Sequence, residues 1–131
     1  MRERLRNRRL AETFDLEVAG LRYTCTVGRF DDGRIGELFL TNHKSNSQAD
    51  TNARDSAIVF SFAVQHSADP AAIRRALCRD SNGKASGPLG RALDLIAERE
   101  NNHKAAAGIM ASDAAVATPR ANYHKASEVA E

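Results

Sequence analysis

The sequence predicts an α+β domain in which a three-stranded antiparallel β-meander is followed by three helices, order βββααα, with a disordered C-terminal tail. Three observations predict it. Apolar and polar residues alternate with period two from Thr13 to Val27; an Asp-Gly dipeptide then feeds a second apolar run; and after Ser47 the apolar spacing becomes helical.

Phe14, Leu16 and Val18 alternate with Thr13, Asp15 and Glu17, the pattern of a strand with one buried face. After a turn at Ala19-Gly20, Leu21, Tyr23, Cys25 and Val27 alternate with Arg22, Thr24 and Thr26, a second strand with a partly solvated threonine face. Asp32 and Gly33 are expected to supply the positive-φ residues of a tight hairpin turn, and Ile35 to Leu40 returns as the third strand. Ser47 precedes Gln48, Ala49 and Asp50 in a loose capping box, which predicts a long helix to about Gln65. Its second half, with Ala57, Ile58, Phe60, Phe62, Ala63 and Val64, is apolar nearly all round. That predicts a helix sandwiched between the sheet and other helices. Asp69 caps a second helix whose first residue is Pro70, with Ile73 and Leu77 as its apolar edge. A third begins near Pro88, where Leu89, Leu93 and Ile96 mark one face, and is expected to fade after Arg99.

The 131 residues, 42% apolar, suffice for one modest core. The net charge of +2 is unevenly spread. Residues 1–11 form a basic N-terminal arm with five arginines against Glu3, residues 12–100 form the domain with two more acids than bases, and residues 101–131 are balanced and Ala-rich. That last segment has too few large apolar side chains to offset its ordering entropy and is expected to be disordered. The longest apolar stretch, Ala57 to Val64, is broken by Ser61 and falls far short of the roughly 20 residues a membrane span needs. Two distant cysteines, no CxxC pair and no secretory apolar region near Met1 point to a reducing, cytoplasmic setting.

Taken in order, "RERLRNRR", "VGRFDDGRIGELFL", the Lys44-to-Ser47 loop and "SFAVQH" resemble the TSCPD domain, the C-terminal segment of vitamin B12-dependent (class II) ribonucleotide reductases, over roughly residues 2–79. "RDSNGKASGPLGRALDLI" further resembles short stand-alone proteins made of this segment and little else. Three departures stand out, one being that the proline falls at Pro70, one place later than the family norm. Ser67 occupies the position where the family commonly has glycine, so a differently built turn is expected there. The cysteine motif that names the domain is absent. The resemblance implies a non-catalytic accessory or nucleotide-binding module linked to deoxyribonucleotide synthesis, with a reductase or a nucleotide as partner. Cobalamin serves the parent family, and no cofactor is expected in this chain.

Reduction as that family performs it needs a thiyl-forming cysteine, a reducing cysteine pair and a large barrel, and Cys25 and Cys78 cannot supply them. Cys25 lies on the apolar face of a strand. Cys78 has Arg74, Arg75 and Arg79 nearby, and both are read as packing residues. His43, His66, His103 and His124 share no ligand spacing, which argues against a metal site. Asp50 and Asp55 read as ordinary helix surface.

Two stretches could bind anions. Lys44, Ser45, Asn46 and Ser47 lead into the long helix, where a lysine, hydroxyls and backbone N–H groups converge on a positive helix end. Arg2, Arg4, Arg6, Arg8 and Arg9 form the densest charge run, and a flexible basic arm is a common way to grip nucleic-acid phosphates; a small nucleic-acid-binding protein is therefore the rival reading. A third is a homo-oligomer formed through an open sheet edge.

Overall fold

The computed structural model describes residues 1–112. Strands β1 (Ala11–Val18), β2 (Leu21–Arg29) and β3 (Ile35–Asn42) precede helices α1 (Gln48–Gln65), α2 (Pro70–Ala76) and α3 (Pro88–Ser112). The predicted meander with three following helices is the observed fold. The chain divides into two compact units, Met1–Ala92 and a second beginning at Leu93, with α3 spanning the boundary.

The sheet has the order β1-β2-β3, with both pairs antiparallel. Register places Phe14, Cys25 and Leu40 in one row and Leu16, Tyr23 and Asn42 in the next. These residues, with Val27 and Leu38, are buried. Facing the other way are Thr13, Thr26 and Phe39, then Asp15, Thr24 and Thr41. Period-two alternation thus yields one apolar and one largely polar face.

Each reversal has its own chemistry. Ala19 and Gly20 both have positive φ, 54° and 76°, as a two-residue primed turn requires. At the second reversal only Gly33 does, at 92°, so the expectation for Asp32 is corrected. The Gly33 N–H donates to the Phe30 carbonyl and the Phe30 N–H to the Arg34 carbonyl. This is a three-residue loop in which a type I turn is followed by a left-handed glycine; Asp32 sits inside the type I turn, where φ is negative. Residues 80–84 repeat the scheme, with Gly83 donating to Asp80 and Asp80 to Lys84. In both loops the preceding arginine, Arg29 or Arg79, donates to the glycine carbonyl.

Helix α1 lies against β3. Ala53, Ala57, Phe60 and Val64 recur at helical spacing on its buried face. The same face carries polar groups that complete the outer edge of β3. Ser61 Oγ accepts the Leu38 N–H at 2.9 Å and lies 3.1 Å from the Leu38 carbonyl. Gln65 Nε2 donates to the Gly36 carbonyl at 2.9 Å, and Asp50 Oδ1 accepts the Asn42 N–H at 2.9 Å. The helix therefore does for this edge what a fourth strand would do.

Several expectations are corrected here. The outward face of α1 is not sandwiched, since Ile58, Val59 and Phe62 are 53%, 68% and 49% exposed. A helix end covered by one sheet buries one stripe, and the additional apolar residues face outward. Asp50 is buried rather than surface, because its carboxylate serves the β3 edge. Cys78 is exposed and lies beyond α2, which ends at Ala76, whereas Cys25 is fully buried as expected. The turn after α1 is not differently built. Ala68 donates to the Ala63 carbonyl and Ser67 to that of Val64, a Schellman closure in which Ser67 takes the left-handed place at φ 73°. Finally, α3 continues past Arg99 to Ser112. Alanine lacks core-forming bulk but has the highest helix propensity, so a composition poor in burial still forms helix. The rest of the expected tail lies outside the described residues.

Candidate anion-binding surfaces

The loop at Lys44–Ser47 is organised by Asn42 and by the start of α1. The Lys44 N–H donates to Asn42 Oδ1 at 2.9 Å, while Asn42 Nδ2 donates to the Arg22 carbonyl. Asn46 turns the chain at φ 60°, a conformation asparagine tolerates. Ser47 is the N-cap, accepting the Asp50 N–H at 3.1 Å and donating to the Lys44 carbonyl. The expected capping box is only half formed, because Asp50 turns away from Ser47. Its carboxylate takes the Asn42 N–H and the Arg54 guanidinium, at 2.9 Å each, and those two bonds lower it from the usual carboxylate value. A negative charge thus already sits in the first turn of α1, leaving the exposed Lys44 ammonium and Ser45 hydroxyl as the loop's free donors.

The N-terminal segment is seated on the domain rather than free of it. The Glu3 N–H donates to the Gln65 carbonyl at the end of α1 at 2.7 Å. Leu5 lies against Gly36, where a Cβ would come within 2.6 Å of Leu5 Cδ2 and 3.1 Å of the Phe30 ring. Glycine is therefore needed at 36 for this seating. The β2–β3 hairpin holds the segment from its other side: Arg34 pairs with Glu3 at 2.8 Å and Arg6 with Asp31 at 3.3 Å. Arg34 also pairs with Asp32 and stacks over the Phe30 ring at 4.6 Å. The two carboxylates raise Arg34 above its ordinary value, and Arg34 in turn lowers Asp32.

The five arginines of the run differ in what they contact. Arg9 pairs with Glu37 and reaches the Arg6 carbonyl. Arg2 donates to the Gln65 side chain and stacks on Phe62 at 4.7 Å, both uncharged partners. Arg4 and Arg8 make no ion pair or hydrogen bond among the described residues. Arg2, Arg4, Leu5, Arg9, Glu37 and Gln65 line a cleft of about 260 Å³. The run of arginines was legible as a charge feature; the cleft was not, because Glu37 and Gln65 reach it only through the fold.

On the polar face of the sheet, Thr24 Oγ1 donates to Asp15 at 2.8 Å and lies 3.0 Å from His43 Nε2. These are exposed cross-strand contacts. Among the described residues no group of three or more His, Cys, Asp or Glu could hold a metal ion, and no helix there is long and apolar enough to cross a membrane.

Fold and surface together define a small α+β platform whose distinguishing feature is a seated, arginine-rich N-terminal segment. Over 65 residues, half of the chain, it is 37% identical to the vitamin B12-dependent ribonucleotide reductase of Agrobacterium fabrum. It is 32% identical over the same length to that of Bradyrhizobium diazoefficiens. In both cases the match spans only 5% of the reductase. No family model matches the chain, and no solved structure matches it significantly. The cobalamin in the relatives' name finds no fit in the cleft, which is small and lined by arginines, whereas a corrin is a large macrocycle.

Proposed function

We propose that the chain is a non-catalytic counterpart of the reductases' TSCPD segment, serving deoxyribonucleotide synthesis as an accessory module that docks a reductase or binds a nucleotide. The observation that carries this reading is the 37% identity over half the chain to a reductase segment. The arrangement of the two quoted motifs supports it. "RERLRNRR" and "FDDGRIG" face each other in space, joined by Arg34–Glu3 and Arg6–Asp31, so the two stretches on which the resemblance rests form one folded contact. In this reading the loop Lys44, Ser45, Asn46 and Ser47 offers a phosphate a contact through the exposed Lys44 ammonium and Ser45 hydroxyl, while Ser47 stays engaged as the cap of α1.

The test is a pull-down with the tagged chain from its source organism. The reading expects a ribonucleotide reductase in the eluate, retained at 0.5 M salt, where the Debye length is only a few ångströms. Recovery of nucleic acid without a reductase, released by the same salt, would replace it with the nucleic-acid reading.

A further inference from the structure

We propose that the cleft lined by Arg2, Arg4, Leu5, Arg9, Glu37 and Gln65 is a binding site for a phosphate monoester taken as its dianion. The inference does not depend on the docking reading, since it rests on this chain's own charges. Three guanidinium groups face one carboxylate in the cleft. Glu37 is matched by Arg9, whereas Arg2 has only the Gln65 amide and the Phe62 ring, and Arg4 has no partner among the described residues. Two positive charges therefore remain without an anion, and a monoester carries close to two negative charges at neutral pH.

The seating gives the site its shape. The Glu3 amide on Gln65, Leu5 on Gly36 and the Arg34–Glu3 pair fix the backbone on both sides of Arg4. That places the Arg4 side chain at the rim of the cleft instead of on a loose chain, and a planar guanidinium can engage two phosphate oxygens at once. The 260 Å³ volume admits a phosphate with an attached sugar-sized group. A polynucleotide backbone offers only one charge per phosphate and would pass across the cleft instead of ending in it.

Isothermal titration of the full chain at fixed ionic strength tests this, using inorganic phosphate, glucose 6-phosphate, adenosine monophosphate and a single-stranded oligonucleotide. The expected result is saturable one-to-one binding of the monoesters, weaker at pH 5 than at pH 7.5 as the second phosphate proton returns. Tighter binding of adenosine monophosphate than of glucose 6-phosphate marks a nucleotide as the source; equal binding marks the phosphate alone. Arg4→Gln should weaken binding about tenfold, the loss of a charge-assisted contact, while Arg8→Gln, outside the cleft, should change it by less than about twofold. Leu5→Ala keeps all five arginines but loosens the seating, and should weaken binding with the far-UV circular dichroism unchanged. The proposal is overturned by absence of saturable monoester binding, by equal losses in the Arg4 and Arg8 variants, by unimpaired binding in folded Leu5→Ala, or by an oligonucleotide that binds more tightly than any monoester.

Discussion

Single residues carry more of this fold than their types suggest. Ser67 holds a left-handed position that glycine adopts without strain, and it does so because the closure of α1 on Ala63 and Val64 requires that conformation. Ser67→Gly should therefore stabilise the protein by about 0.5–1 kcal/mol, the relief of strain partly offset by a more flexible unfolded chain. A raised urea midpoint at constant slope is the expected reading, and a lowered one would show that the Ser67 side chain has a use of its own. Asp50 is the second case. Its folded carboxyl lies below its unfolded value because the Asn42 N–H and Arg54 favour the charged form. Its stabilisation is therefore fully present above the unfolded value of about 3.9 and is lost as pH falls from there through the lower folded one. Urea midpoints measured between pH 2 and pH 6 should fall less steeply in Asp50→Asn than in the wild type, and parallel curves would contradict the assignment.

At the scale of elements, the pairing of α1 with β3 was partly legible. The period-two and helical patterns identified both elements, but an apolar run covering more than one stripe did not single out Ala53, Ala57, Phe60 and Val64 as the buried face. Ser61 looked like an interruption of the apolar stretch and Gln65 like a helix end. Their use as partners for the β3 edge depends on the helix lying along that strand, which no local pattern records. Ser61→Ala removes a hydroxyl that serves both the N–H and the carbonyl region of Leu38, and should cost about 1–3 kcal/mol. Ser56→Ala removes a single bond to its own helix, at Ala53, and should cost less than about 0.5 kcal/mol. Similar losses in denaturant titrations of the two variants would mean that the edge does not need this cap. The two glycine turns show the same limit: Asp-Gly signalled the hairpin correctly, but not that its loop has three residues.

For the molecule as a whole, the sequence distinguished a basic N-terminal run from a slightly acidic domain, and composition alone read that run as a flexible arm. The structure places it against the domain, because its few non-arginine residues matter most: Glu3 finds Arg34 and the Gln65 carbonyl, and Leu5 finds the space left by Gly36. Isolated residues 31 or more positions from their partners leave no periodic signal, so this docking was not readable beforehand. The outer edge of β3 is completed separately, by Asp50, Ser61 and Gln65 of α1. The cleft exists only if this segment is part of the folded protein. Amide hydrogen exchange at Glu3 tests that most directly. The N–H bonded to the Gln65 carbonyl should exchange at least about a hundredfold more slowly than an unstructured amide, a protection of a few kcal/mol. Exchange at the unstructured rate, with α1 still protected, would return the arginines to a free arm and remove the site.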